Sequence, residues 1–452
     1  MDFKMNPHKI FQCNGKEYLF VAETGALFEL DEETSFLIRQ NNADFESIQR
    51  KMSTEFGLSA DALKAMLDDL REVKLLGYTP DTVALEYSLD FLHGIELMVC
   101  QCCNLACTYC YALEGEYHNP GWMSEKVGKK AIDFLFTQTK DNSVSISFFG
   151  GEPLMNMSLI KNLVQYANQL ALRHNKRVSY SVTTNGMLID DDIADFLKKN
   201  SFYVSLSIDG TQAGHDLCRV DKSGRGSYAD SIKNVHLLNE NRVSLRATAT
   251  PENCNYTEIA DALYELKETD FFIGEAMNCF ATEESLQSVE QSYDRLISQF
   301  ITDLVCGRIK KCKSNSLIFL NLRKIAYFKE RNSSCPAFIS TIAVDVNGEL
   351  YPCHRFVGSS YHIGNVNTNG IDVQVAKKLF AQDFLKENRR GCAQCWAQNL
   401  CVGGCPYLNQ EETGHCNIPN KHKCRLNKYL YEKLIIVFLM LTNEQKGLLG
   451  LM

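Results

Sequence analysis

From Gly94 to Cys279 the chain alternates between short β-rich runs and amphipathic stretches. Six runs read as strands: Gly94 to Val99, Val144 to Phe149, Val178 to Val182, Tyr203 to Ile208, Val243 to Thr248 and Phe271 to Met277. Between most of them lie stretches with helical spacing of apolar residues, such as Glu125 to Phe136 and Leu159 to Leu172. This βα series predicts an α/β fold over residues 94–310, a partial (β/α)6 TIM-like barrel, with a doubly wound open sheet as the competing architecture. Residues 1–85 form a separate small α+β unit in this reading. Two or three short strands, including Glu17 to Ala22 and Ala26 to Leu30, precede three short helices. The last of these has Ser59 as its N-cap, then Leu63, Met66, Leu67, Leu70 and Val73 at helical spacing. Residues 330–430 carry cysteines among Gly, Pro, Asn and His and cannot build an apolar core alone. The tail, 431–452, reads as one apolar helix packed on the body.

Composition narrows the function classes. The 452 residues suffice for two or three domains, and 45% hydrophobic with 23% charged residues is ordinary for a globular protein. A net charge of -8 gives no general attraction to nucleic acid or anionic membrane. Met1 to Gly15 lacks an apolar signal core, and the run Leu434 to Leu441 is far shorter than the roughly 20 residues that span a bilayer. A cytoplasmic protein with neither membrane nor nucleic-acid partner is therefore expected. In such a compartment 19 cysteines argue for metal, because cytosolic thiols stay reduced.

The most informative run is Cys103-Asn104-Leu105-Ala106-Cys107-Thr108-Tyr109-Cys110. Its C-x3-C-x2-C spacing offers three thiolates to a 4Fe-4S cluster, leaving one iron open to a chelating molecule. The run follows the first strand, at the carboxyl end where α/β barrels place active sites. Zinc is the alternative, but structural zinc takes four ligands in paired C-x2-C knuckles. Cys100 and Cys102 read as bystanders.

With Tyr109 before its last cysteine, this loop resembles the cluster motif of radical S-adenosylmethionine (SAM) enzymes. Three later segments carry the resemblance around the barrel. Gly150-Gly151-Glu152-Pro153 after the second strand resembles the family's glycine-rich segment, which implies that backbone groups and Glu152 receive the SAM ammonium. Thr183-Thr184-Asn185-Gly186 after the third strand resembles the ribose-contacting segment, with Thr184 and Asn185 as its residues here. Ser207-Ile208-Asp209-Gly210 follows the fourth, and the resemblance implies that Ser207 and Arg219 contact SAM, Arg219 through the carboxylate. Asp209 reads equally well as a turn cap.

Cys335-x12-Gly348-x4-Cys353, then Cys392-x2-Cys395-x5-Cys401-x3-Cys405 and Cys424, resembles the SPASM extension of radical SAM maturases, which holds two further 4Fe-4S clusters. The resemblance implies that Cys392, Cys395, Cys401 and Cys424 close one cluster and that Cys335, Cys353 and Cys405 hold the other. Where some relatives supply another cysteine this chain has Thr341, which leaves an iron for an outside ligand unless Cys416 or His354 fills it. Zinc knuckles are the alternative here too.

Residues 1–85 resemble, by pattern, the PqqD-like peptide-recognition domain of winged-helix-like build. The leader of a precursor peptide adds there beside the third strand and packs on the third helix. DNA binding is disfavoured, since the segment has 9 Lys and Arg against 15 Asp and Glu, a net of 9 - 15 = -6. The whole resembles a radical SAM/SPASM peptide maturase of the thioether-forming sactipeptide and ranthipeptide type. That implies three 4Fe-4S clusters, one of them SAM-binding and two auxiliary, SAM as cofactor, a ribosomal precursor peptide as substrate, and an electron donor such as flavodoxin or ferredoxin. No residue is assigned as general base. Maturases of other proteins, of the sulfatase-activating or quinoprotein-maturing type, are the nearer alternative, and a metal-stapled DNA-binding regulator the remoter one.

Overall fold

A computed structural model describes residues 4–41, 43–78, 87–331, 333 and 335–452. The boundary expected at residue 85 lies outside the described residues. By contacts the chain divides into two compact units, each discontinuous in sequence. One comprises residues 1–85, 320–334 and 385–452, the other residues 86–319 and 335–384.

The first unit opens with an antiparallel sheet, β1 (His8–Cys13), β2 (Lys16–Val21) and β3 (Leu27–Leu30), in the order β1-β2-β3. Three helices follow, Glu32–Arg39, Phe45–Phe56 and Ala60–Glu72, each capped by a side chain: Asp31, Asp44 and Ser59. The expected Ser59 cap accepts from the Ala62 amide, and Leu63, Leu67 and Leu70 are buried with Leu19, Val21, Leu37 and Ile48. Both outer faces of the strands are used. Phe11 and Phe20 meet Trp396 edge-on at centroid distances of 5.7 and 6.1 Å, and Lys9 pairs with Glu432 at 2.9 Å. Asn399 donates to the Ala22 carbonyl (2.9 Å) and Gln398 to Glu23 (2.8 Å). The tail differs from expectation: it is two helices, Lys421–Met440 and Asn443–Leu449. The break falls at Thr442, whose side chain forms a capping box with Gln445, a start signal that periodicity alone overlooks.

The second unit is built on β4 (Gly94–Gln101), a short antiparallel partner β5 (Gly121–Trp122), β6 (Ser143–Gly150), β7 (Arg177–Thr184), β8 (Tyr203–Ser207), β9 (Val243–Ala249) and β10 (Asp270–Glu275). All six expected strands are present, and they pair in parallel in the order β4-β6-β7-β8-β9-β10. The order never reverses. A doubly wound sheet would reverse at its switch point, so this succession is consistent with a partial barrel. Beyond β4 the sheet is extended by β11 (Thr341–Val344), parallel to β4, and by β12 (Glu349–Tyr351).

Strict alternation along the strands makes two unlike faces. Ile95, Leu97, Ile146, Phe148, Val182, Leu206, Leu245 and Ile273 are buried on the face covered by helices such as Glu125–Gln138 and Met157–His174. The other face carries Glu96, Ser147, Ser181, Ser205, Ser207, Arg246 and Phe272, none of them fully buried. A closed eight-stranded barrel packs that face with branched apolar side chains. Here Glu, Ser and Arg side chains predominate, beside the fully buried Met98 and the partly buried Phe149 and Phe272. No described helix is long and apolar enough to cross a membrane.

Candidate active site at the strand ends

The loop Cys103–Cys110 leaves the carboxyl end of β4 and is tied down by its own backbone. The Ala106 amide donates to the Val220 carbonyl (2.8 Å), Thr108 to Cys218 (3.0 Å) and Cys110 to Cys107 (3.0 Å). The Leu105 amide donates to Cys103 Sγ at 3.4 Å. Burial pushes the Cys103 thiol up to about 12, with Glu152, Cys107 and Cys110 adding to the shift. Burial likewise raises Cys107, against the opposing pull of Arg219. The three cysteines therefore lie within one another's electrostatic reach. Among the described residues no three His, Cys, Asp or Glu side chains close around a single-ion position. A cubane, whose irons each take one thiolate, spreads its ligands wider than one ion does.

Gly150 and Gly151 have a steric reason. Gly150 has φ +137°, and a methyl there would run into the Cys100 carbonyl; one on Gly151 would run into that of Cys102. The close approach lets Gly151 N–H donate to Cys100 O (2.8 Å) and Glu152 N–H to Cys102 O (2.9 Å). The glycine-rich segment thus buttresses the start of the cysteine loop. Pro153 opens the turn that follows. The fully buried Glu152 carboxylate accepts from Thr184 Oγ1 (2.7 Å), Asn185 N–H (2.8 Å) and Leu154 N–H (3.1 Å). Burial raises its pKa, and the Asn185 and Thr184 bonds oppose that. Asn185 in turn reaches Asn104 at 2.8 Å and Cys103 Sγ at 3.9 Å. The ends of β4, β6 and β7 are thereby locked together.

A second network closes the other side. Arg219 Nη1 donates to Tyr109 Oη (2.7 Å), Tyr109 donates to Asp209 Oδ2 (2.6 Å), and Asp209 Oδ1 accepts the Thr248 amide (2.9 Å). Asp209 is a buried hub and not a turn cap; Thr211 caps the following helix. Behind it, His215 Nδ1 accepts the Asp209 amide (3.3 Å), Nε2 meets Ser227 Oγ (3.0 Å), and Ser227 donates to the Arg219 carbonyl (2.7 Å). Burial lowers the His215 pKa to about 3, so the ring is neutral. Arg219 is 7% exposed, yet among the described residues nothing accepts from its buried Nε. A guanidinium held this way beside Cys107 fits an incoming carboxylate. Ser207 ends β8 on the inner face, in register with Arg246.

Sequence reasoning missed two features. The segment after the loop has positive φ at Leu113, Glu114, Gly115, Tyr117 and His118, and Tyr117 Oη donates to the Gly150 carbonyl (3.4 Å). Strain of this kind collects at functional sites. On the inner face Glu96 Oε2 accepts from His354 N–H (2.9 Å) and pairs with its Nδ1 (3.0 Å), while the imidazole stacks on Phe149 at 4.3 Å. Burial disfavours the Glu96 carboxylate, but His354 outweighs it and lowers the pKa.

Cys335 and Cys353 flank β11 and β12 in the barrel unit, with Thr341 opening β11. Cys405 belongs to the other unit. That unit brings Cys392, Cys395, Cys401 and Cys424 together: burial pushes Cys392 up to about 12, and the other three thiols add to the shift. Cys416 is buried, its carbonyl accepting from Arg389 and Asn409.

The sequence profile of the Radical SAM superfamily matches residues 97–260, and that of SPASM, an iron-sulfur cluster-binding domain, matches residues 335–396. The chain therefore carries a radical SAM domain followed by a SPASM domain. Among curated relatives, the cysteine-type anaerobic sulfatase-maturating enzyme of Clostridium novyi (strain NT) is 27% identical over 358 residues, covering 74% of this chain and 92% of the relative. The radical SAM cyclopropyl synthase TigE of Paramaledivibacter caminithermalis is 24% identical over 369 residues, 76% of this chain and 74% of its own. Among solved structures, native anSMEcpe with bound AdoMet and the Cp18Cys peptide matches with a TM-score of 0.64 at 21% identity, covering 77% of this chain and 99% of that one, which shows a shared fold.

Proposed function

We propose that the chain is a radical SAM maturase that modifies a ribosomally made precursor peptide by joining a cysteine sulfur to a carbon of another residue. The observation that carries the reading is the convergence, at one end of a parallel sheet, of a three-cysteine loop, its glycine buttress and a buried arginine with an unsatisfied Nε. When bound, a three-thiolate 4Fe-4S cluster with SAM supplies a hydrogen-abstracting deoxyadenosyl radical. The chain's own residues hold and orient these groups. Cys103, Cys107 and Cys110 ligate, Arg219 takes the SAM carboxylate, and Tyr109, Asp209 and Thr248 fix the guanidinium. Gly150, Gly151, Thr184, Asn185 and Ser207 line the nucleotide's place, while Glu152 fastens two of these segments and so acts as a positioning residue. The polar inner face, with Glu96, Ser147, Ser181 and Arg246, offers hydrogen bonds to a peptide.

One auxiliary cluster is assigned to Cys392, Cys395, Cys401 and Cys424, and Cys335 and Cys353, on either side of β11 and β12, are assigned to the other. A flavodoxin- or ferredoxin-type protein supplies electrons. Residues 1–85 receive the leader, which adds beside β3: among the described residues this strand pairs only with β2, and it leaves Phe28 38% exposed. A second reading, maturation of a sulfatase-like protein, is favoured by the 27% identity to the Clostridium novyi enzyme. The test is mass spectrometry of the precursor encoded beside this gene after anaerobic incubation with enzyme, SAM and reductant. A thioether removes two hydrogens per crosslink and survives thiol reduction. An unchanged precursor, beside a sulfatase peptide converted by the same protein, selects the second reading.

A further inference from the structure

The surroundings of the two described cysteine groups differ in sign. Cys103 lies beside the Glu152 carboxylate, and Cys107 beside Arg219 and Asp209, so anionic and cationic groups mix there. In the other group, apart from one another's thiols, the charged groups that act are Arg389 on Cys392 and Lys428 on Cys395 and Cys424, both cationic. A third cation, Lys324, is half-buried next to Cys401, its Nζ donating to Asn321 at 2.8 Å. The geometry follows from one helix. Lys421–Met440 presents Cys424, Asn427, Lys428 and Tyr431, at steps of three, four and seven, on one side. From there Asn427 Nδ2 donates to Cys401 Sγ at 3.2 Å, and Tyr431 Oη donates to the Leu400 carbonyl at 2.8 Å, which fixes the cysteine's neighbour.

Each one-electron reduction of an iron-sulfur cluster adds a negative charge shared by iron and sulfur. N–H donors to the ligand sulfurs and nearby cations stabilise the reduced form and raise the potential. We propose that Asn427, assisted by Lys428 and Lys324, raises the reduction potential of the cluster held by Cys392, Cys395, Cys401 and Cys424. Four thiolates would supply one ligand to each iron of a cluster held there. Asn427 carries most of the effect, because Lys428 is exposed and its charge is screened. The inference rests on the reading of these cysteines as cluster ligands.

The test is a redox titration, followed by electron paramagnetic resonance, of the reconstituted full chain, its Asn427→Leu variant and its Lys428→Met variant. In Asn427→Leu one auxiliary signal keeps its iron and sulfide content, but at a fixed potential its ratio of reduced to oxidised form falls about tenfold, about 59 mV for a one-electron couple. Lys428→Met moves the same signal in the same direction by less, and the shift shrinks with added salt. That signal is distinct from the one lost in Cys103→Ala, whose midpoint Asn427→Leu leaves in place. A loaded Asn427→Leu protein with an unmoved midpoint overturns the inference alone. Should Asn427→Leu shed iron, an unmoved midpoint in Lys428→Met at low salt overturns it. A parent that takes up no iron and sulfide overturns the reading of the site itself.

Discussion

Arg219 is the residue on which the cofactor assignment turns. Its planar group is pinned on one side by Tyr109, its buried Nε has no acceptor among the described residues, and its charge is retained: burial opposes it, but Tyr109, Cys107 and Asp209 raise its pKa well above the usual range. Removing it deletes charge-assisted hydrogen bonds worth about 1.5 to 3 kcal/mol. Arg219→Ala is therefore expected to weaken SAM binding to the cluster-loaded protein about 100-fold by calorimetry, and Tyr109→Phe by a smaller factor. Undiminished affinity in Arg219→Ala would remove the carboxylate role. Cys103 gives a pH prediction with a definite sign. Burial raises its pKa to about 12, so the metal-free protein holds the thiol protonated at neutral pH, and the thiolate fraction grows with pH. Ligation must release that proton. Cluster assembly followed by visible absorbance is expected to speed up by up to about tenfold from pH 7 to pH 8, and a rate that falls over that range would contradict the assignment. Tyr109 and Arg219 were legible in the sequence because each sits at a fixed step from a motif. Asp209 as a hub was not: it meets Tyr109 across 100 residues of chain, a contact that no local spacing encodes.

At the scale of elements, all six barrel strands and the helix capped by Ser59 were legible, because alternation and capping are local signals. The break at Thr442 was hidden inside a continuous apolar stripe, and the strained segment Leu113–His118 carries only one glycine to mark it. The glycine pair was legible as a motif, but its steric cause became visible only when β6 lay beside the cysteine loop. Gly151→Ala is expected to leave the helix and strand content unchanged by circular dichroism while lowering iron content at least severalfold, since its methyl displaces the Cys102 carbonyl. Full iron loading in that variant would contradict the buttress. In the N-terminal sheet and helices, Leu67→Ala removes a side chain that is 4% exposed and is expected to destabilise its unit by about 2 to 5 kcal/mol in denaturant titration.

The whole molecule sets an iron-sulfur chemistry on a sheet whose inner face is polar. That face could have been anticipated from runs such as Val144-Ser145-Ile146-Ser147-Phe148, whose strict alternation is unlike the continuous apolar runs of a sealed parallel barrel. The choice between barrel and doubly wound sheet was closed to the sequence, because strand order is a long-range property. So was the contact grouping, in which residues 385–452 cluster with residues 1–85 and residues 335–384 with the barrel. Cys392, Cys395, Cys401 and Cys424 follow that grouping as one set within one unit. The most direct test of the account is anaerobic reconstitution of the full chain with iron and sulfide, followed by SAM and dithionite, with 5'-deoxyadenosine measured by mass spectrometry. A brown protein that forms deoxyadenosine is expected, and a Cys103→Ala variant that forms none. A colourless or zinc-loaded parent, or equal deoxyadenosine from the variant, would contradict it.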